Sequence, residues 1–303
     1  MKYKLPVLAA SAALFCSSAS AMLFVCGEPK SPRNYSEIKI WYNSVYNQDT
    51  RLKGTPSRRD DVIFGGGETV IDTDLEVATL IIGQAGTVKI DKQRIAAKGL
   101  IITAPQRPSS PSSPLLEIKN TSANLGGFVI NESVRRQDKL GRINISLDNA
   151  NVVFKEINLG MGGASADLKP FDKSSGLFIK LKGASTLTIS NGFFLDEMFK
   201  GDARLQFELI ESDGKVPCVL ITKPDPSFVM LDITVKTPLK KGRYTLLQDM
   251  GRNPLKDELR SLKVNGSERK IDETFNIAGK DARLILDYAG KDNKKNDIIL
   301  EVL

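Results

Sequence analysis

Hydrophobic residues in this chain arrive in short pulses. Val70 and Ile71 end at Asp72, Leu80 to Ile82 end at Gly83, and Val88 and Ile90 end at Asp91. Leu100 to Ile102, Leu115 to Ile118 and Phe128 to Ile130 continue the beat. Each pulse is too short for a helix, and Gly, Asp or Thr separates it from the next. This pattern predicts brief strands joined by tight turns. Later pulses alternate: Ile143, Ile145 and Leu147; Leu177, Ile179 and Leu181; Leu187 and Ile189. A period of two predicts one buried and one wet face. Asn144, Ser146, Lys180 and Thr188 then face outward. Asp148 to Asn151 and Gly160 to Gly163 carry turn chemistry.

Two segments read as short helices, Phe193 to Ala203 and Leu255 to Leu262. The last third otherwise keeps strand character, in Leu205 to Ile210, Val219 to Thr222, Phe228 to Val235, Tyr244 to Leu247, Leu284 to Tyr288 and Ile298 to Val302. Ala104 to Pro114 is rich in Pro and Ser and predicts a protruding loop. Gly65-Gly66-Gly67 predicts a turn with positive φ. It is not a phosphate loop, because Glu68-Thr69-Val70 follows where Lys and Ser or Thr are needed.

The domain reading follows. Residues 1–21 form a signal peptide. Residues 22–40 form a leader and cap of little regular structure, in which Leu23 to Val25 can pair as an edge strand. Residues 41–192 form the β-rich body with its Pro/Ser loop at 104–114. Residues 193–303 form a β-rich continuation and cap. Trp41, the only Trp, is expected to close one end of the core.

The signal-peptide reading rests on Lys2 and Lys4, the short apolar run Pro6 to Phe15, and small residues at Ala19-Ser20-Ala21. Cleavage is expected between Ala21 and Met22. No stretch is long and apolar enough for a transmembrane helix. The expected destination is the periplasm, the cell surface or the medium. Two cysteines, Cys26 and Cys218, then remain. In an oxidising compartment they can form a disulfide; the other reading is two buried thiols, and the Cα separation decides.

Net charge is +7, of which Lys2 and Lys4 supply two. The excess is scattered, with Arg58-Arg59 beside Asp60-Asp61. No basic stripe with interleaved aromatics points to nucleic acid. Attraction to an anionic envelope or extracellular polymer is compatible with this balance. The chain has no histidine, which excludes Ser-His-Asp and Cys-His catalysis and the common zinc sites. No catalytic, metal or cofactor residues are assigned. A carboxylate enzyme would draw on Asp60, Asp61, Asp72 and Asp74 with Arg58 and Arg59. Each also reads as a solvated turn residue.

Trp41, Thr55-Pro56, Asp60 to Ile63, Val70 to Asp72, Val77, Leu80 to Ile82, Gly86 to Val88 and Ile90 resemble the opening rungs of secreted bacterial β-solenoids. Lys241 to Leu247, Phe275 to Ile277, Leu284 to Tyr288 and Asp297 to Leu300 resemble closing rungs. The group is similar to autotransporter passenger domains. The resemblance implies an all-β, right-handed parallel β-helix with irregular rungs, short capping helices and a β-rich C-terminal region. It implies a non-catalytic surface protein with a structural, adhesive or binding role, its partner an envelope polymer or another surface protein. The alternative is a carbohydrate-active β-helix, either a polysaccharide lyase or a glycosidase.

Overall fold

The computed structural model describes residues 22–26, 31–45, 48–52, 54–103, 113–131, 142–159, 176–195, 202–210, 215–221, 229–249, 261–287 and 297–303. Among them the protein is all-β. The described residues form strands and one 3-10 turn, Tyr35–Glu37, and no α-helix. Parallel pairings predominate and fall into three ladders.

Ladder A stacks Phe24, Val62, Leu80, Leu100, Phe128, Ile157 and Phe193 in register. Ladder B stacks Ile71, Ile90, Ile118, Leu147, Leu181, Phe207, Ile233 and Val264. Ladder C stacks Leu75, Ile95, Ala123, Val152, Leu187, Val219 and Leu247. The chain visits them in the order C, A, B and then returns to C. The strand Leu75–Asp91 shows this in one piece. Its first half pairs with Ile95–Thr103, and its last residues pair with Leu115–Lys119.

All three stacks belong to one continuous hydrophobic core. Each strand buries its inward residues against equivalent residues above and below. Every buried Val, Leu, Ile or Phe contributes about 1.5–3 kcal/mol relative to exposure. The branched and aromatic side chains of the pulses suit such pleated, half-buried surfaces. The predicted inward sets Ile143/Ile145/Leu147, Leu177/Ile179/Leu181 and Leu187/Ile189 all lie in this core.

Glycines mark the bends between ladders. Gly67, with φ +70°, follows a register shift between Phe64 and Gly66 where one strand passes from ladder A to ladder B. Gly65 and Gly66 lie in the strand Asp61–Ile71, so the glycine triplet makes a bulged bend with one positive φ. At Gly126 a β-carbon would fall 1.7 Å from the Lys98 carbonyl oxygen, so only glycine fits that approach.

The ladders meet antiparallel strands at both extremes. Leu23–Cys26 pairs in parallel with Asp61–Ile71 and antiparallel with Trp41–Val45, which pairs in turn with Gln48–Leu52. Trp41 is 1% exposed and packs edge-on against Phe24 and Tyr35 and tilted against Phe64. At the other extreme, Gly242–Asp249, Asp297–Val302, Lys280–Asp287 and Thr274–Ile277 form an antiparallel run. It joins ladder C through Val219 and Leu247.

Several expectations need correction. Phe193–Leu195 and Asp202–Leu209 are strands, so the predicted helix does not form over its described residues. The apolar spacing that mimics a helix there places Phe193 inward in ladder A instead. Ser261 and Leu262 lie in the strand Ser261–Val264, and the rest of the second predicted helix is outside the described residues. The expected short capping helices do not occur among the described residues. Leu23–Cys26 is not an edge strand but is paired on both sides. Residues 1–21, residues 104–112 of the Pro/Ser loop and Gly160 to Gly163 lie outside the described residues.

Candidate anion-binding site

The outer face of ladder B carries rows of polar residues set by the same register. One row runs Val70, Lys89, Glu117, Ser146, Lys180, Gln206, Asp232 and Lys263. Most charges here neutralise one another, between neighbouring strands or within one. Lys89 meets Glu68 at 2.7 Å, Lys119 meets Glu117 at 2.9 Å and Lys180 meets Glu208 at 2.6 Å. The Lys180 hydrogen bond holds the Glu208 carboxyl below the usual carboxylate range. Such exposed pairs add little stability, but they leave little net charge on that part of the face.

One place departs from this pattern. Phe178 alternates with the core residues Leu177 and Ile179, so period two turns it outward with Lys180 and Lys182. Yet it is only 5% exposed. Two guanidinium groups flank it. Arg142 lies 4.0 Å from the ring centroid, and Arg204 lies 5.7 Å from it. Register explains the meeting. Phe178 stands between Asn144 on one neighbouring strand and Arg204 on the other. The residue opposite Arg142 is Gly176, which has no side chain to obstruct the reach toward Phe178.

The two arginines are held differently. Arg204 pairs with Asp232, Nη1 to Oδ2 at 3.1 Å. The other Asp232 oxygen is buried without a hydrogen-bond partner among the described residues. Arg142 donates from Nε to Asn144 Oδ1 at 2.7 Å, and no carboxylate pairs with it among the described residues. Burial, and then the neighbouring Arg204 charge, lower its pKa from the usual arginine value. It remains a cation at any physiological pH. Stacking and the Nε bond fix the plane of the Arg142 guanidinium and leave its two terminal nitrogens as donors. A fixed planar fork of that kind matches a carboxylate, sulfate or phosphate.

The residues singled out in the sequence lie elsewhere and hold structure together. Asp60 accepts hydrogen bonds from Met22 N and from Ser57 N and Oγ. Asp72 accepts from the backbone and hydroxyl of Ser36. Burial raises the Asp72 pKa, but the Ser36 hydrogen bonds outweigh it and bring it below the usual value. Asp74 accepts from Arg94 N at 2.9 Å. Asp61 is buried at the start of a strand, and Arg58 and Arg59 are exposed in the preceding turn. No group of three or more potential metal ligands occurs among the described residues.

The strand register sets Cys26 and Cys218 too far apart for a disulfide between them. The ladders show why. Seven strand-to-strand steps separate Leu23–Cys26 from Cys218–Ile221. At about 4.8 Å per step the two positions lie on the order of 30 Å apart. A disulfide needs Cα atoms within about 7 Å. Burial, and then the charge of Asp297, raise the Cys218 pKa to about 11.

Arg142, Phe178 and Arg204 escaped the sequence reading. The one local signal is an aromatic at an outward position between Leu177 and Ile179. Its two cationic neighbours are distant in sequence and meet it only through register. No protein-family model, curated protein or solved structure matches the chain.

Proposed function

We propose that this chain is an exported, non-catalytic β-solenoid that binds an acidic polymer through the outer face of ladder B. In this reading ladders A, B and C are the three faces of a right-handed parallel β-helix. The fixed order C, A, B, repeated along the chain, supports the winding. The strong preference for right-handed parallel crossovers supplies the hand. Residues 1–21, read as a cleaved signal peptide, supply export to the periplasm, surface or medium. A solenoid suits a polymer because its long face repeats at the strand spacing and offers an extended surface.

The observation that carries the binding reading is Arg142. It is a guanidinium oriented by a ring and an amide, without a carboxylate partner among the described residues, on a face where Lys89, Lys119, Lys180 and Arg204 each have one. The ligand class is a polyanion bearing carboxylate or sulfate groups, in the manner of an acidic envelope or extracellular polysaccharide. Binding is measured on immobilised polygalacturonate and dextran sulfate, with neutral dextran as control. The wild type is retained on the charged matrices, weakens as salt rises, and ignores dextran. Arg142→Ala weakens retention about tenfold, in line with loss of one charge-assisted pair. Arg142→Lys recovers little, because lysine lacks the planar fork and the stacking surface. Equal retention of wild type and Arg142→Ala sinks the assignment. Release of unsaturated or reducing-end products from polygalacturonate sinks the non-catalytic reading.

A further inference from the structure

We propose that Met22 is the amino terminus of the working chain and that its α-ammonium forms an ion pair with the Asp60 carboxylate, fastening the first strand. The proposal rests on residues 1–21 being removed, as the exported reading requires.

Asp60 is only 8% exposed. Its Oδ2 is occupied by Ser57 N at 2.9 Å and Ser57 Oγ at 2.7 Å. Its Oδ1 takes Met22 N at 3.1 Å. None of these donors is a cation while Met22 N is an amide. A buried carboxylate is costly unless it is paired as well as hydrogen-bonded. Met22 is also held from its other side, since Asp61 N donates to Met22 O at 2.9 Å. The Asp60 carbonyl in turn accepts Ala78 N at 2.8 Å, which ties the turn to the next strand. The nitrogen that meets the carboxylate is therefore the one that cleavage after Ala19-Ser20-Ala21 would free. An amide there offers one donor and no charge, whereas an ammonium offers three donors and a full charge. The first strand then gains its anchor when the leader leaves.

Other charges bear on the amine. Asp61, next in the chain, adds to the negative field, and Arg58 and Arg59 in the same turn oppose it. Thr79, opposite Asp61 on the neighbouring strand, is uncharged. The Asp60 carboxylate is the group in contact. It favours the protonated amine and moves its titration above the ordinary α-amino range of about 7.7–8.0. Met22 is 49% exposed, and Asp60→Asn separates the effect of the charge from that of access.

The test uses the full chain, leader included, produced in an exporting bacterial host. Mass spectrometry of the product reads the terminus. Competitive acylation by acetic anhydride at pH 8, folded and in urea, reads the amine. The expected product begins at Met22, and its amine reacts at least tenfold more slowly when folded. Asp60→Asn restores fast reaction in the folded state. If that variant does not fold, the folded-to-unfolded ratio of the wild type decides alone. A product that keeps residues 1–21, or is cut at another bond, overturns the proposal through the leader. A product that begins at Met22 and reacts equally fast in both states overturns it through the ion pair.

Discussion

Gly183 and Asn149 occupy the same place in successive turns, and a β-carbon on Gly183 would fall 2.2 Å from the Asn149 side-chain oxygen. Both have left-handed backbones, as do Asn120 and Lys92 in the turns before them. These four residues each follow the last residue of a ladder B strand, where the chain turns toward ladder C. Asn120 N bonds Asp148 O, and Asn149 N bonds Lys182 O, so the corner is stacked by backbone hydrogen bonds. Asn149 also accepts Ala184 N through its side chain. Only Gly or Asn enters this conformation cheaply, and Lys92 bears the cost.

Gly183→Ala meets both penalties. Positive φ costs about 1–2 kcal/mol for a residue with a β-carbon. Displacing Asn149 forfeits a hydrogen bond worth about 1 kcal/mol. The expected loss is about 2–3 kcal/mol, read as a lower urea midpoint with an unchanged slope. A loss under about 0.5 kcal/mol contradicts the stacked corner.

The ladder register can be tested directly in solution. Ser146 and Lys180 are cross-strand partners facing outward on ladder B. With Cys26 and Cys218 replaced, Ser146→Cys with Lys180→Cys places two thiols about 5 Å apart. Dibromobimane then bridges them and fluoresces. Ser146→Cys with Asp232→Cys, three steps along the same row, leaves the thiols on the order of 14 Å apart and dark. The opposite result excludes this pairing.

How much of this was legible beforehand depended on whether the information was local. The alternation of Ile143, Ile145 and Leu147 gave strand, face and burial, because period two is a property of the segment itself. Trp41 was expected to close an end, and it is buried against Phe24, Tyr35 and Phe64. Register was hidden. Nineteen residues separate Val70 from its partner Lys89, whereas thirty-four separate Ser146 from Lys180. Insertions between ladders A and B break the beat, so no fixed period marks the repeat. The Arg142–Phe178–Arg204 cluster exists only once register is known. The described residues of the helix expected over Phe193 to Ala203 are strands instead, because a three-residue strand such as Phe193–Leu195 is too short to show a period of its own.

Cys218 gives a pH test. Its pKa, raised to about 11 by burial and then by Asp297, lies above the ordinary thiol value of 9.0. Between those values the folded state holds a proton that the unfolded state has lost. The stabilisation is complete below about pH 9 and declines as pH rises toward 11. At about 1.4 kcal/mol per pKa unit the decline is on the order of 2–3 kcal/mol. Burial also raises the Tyr35 pKa, so its contribution has to cancel in the comparison. The comparison is therefore wild type against Cys218→Ser, by urea unfolding at pH 8 and pH 10.5. Wild type should lose more stability over that interval than the variant. Parallel losses in the two proteins remove Cys218 from the account.

Trp41 separates packing from hydrogen bonding. Its ring fills the end of the core, but Nε1 is buried with no hydrogen-bond partner among the described residues. The N–H is therefore a cost rather than a contribution. Trp41→Phe keeps an aromatic in contact with Phe24, Tyr35 and Phe64 while removing that unsatisfied donor. The lost ring area and the relieved donor act in opposite directions, so the net change should stay under about 1.5 kcal/mol. Trp41→Ala empties the site and should cost about 3–5 kcal/mol. It should also expose the edge of Leu23–Cys26 and raise light scattering during refolding, because the partner strand Trp41–Val45 loses its anchor. Urea unfolding of the two variants gives the ratio. A large loss in Trp41→Phe would mean that the N–H has an acceptor in solution, and near-equal stability of Trp41→Ala and wild type would mean that the core ends before this residue.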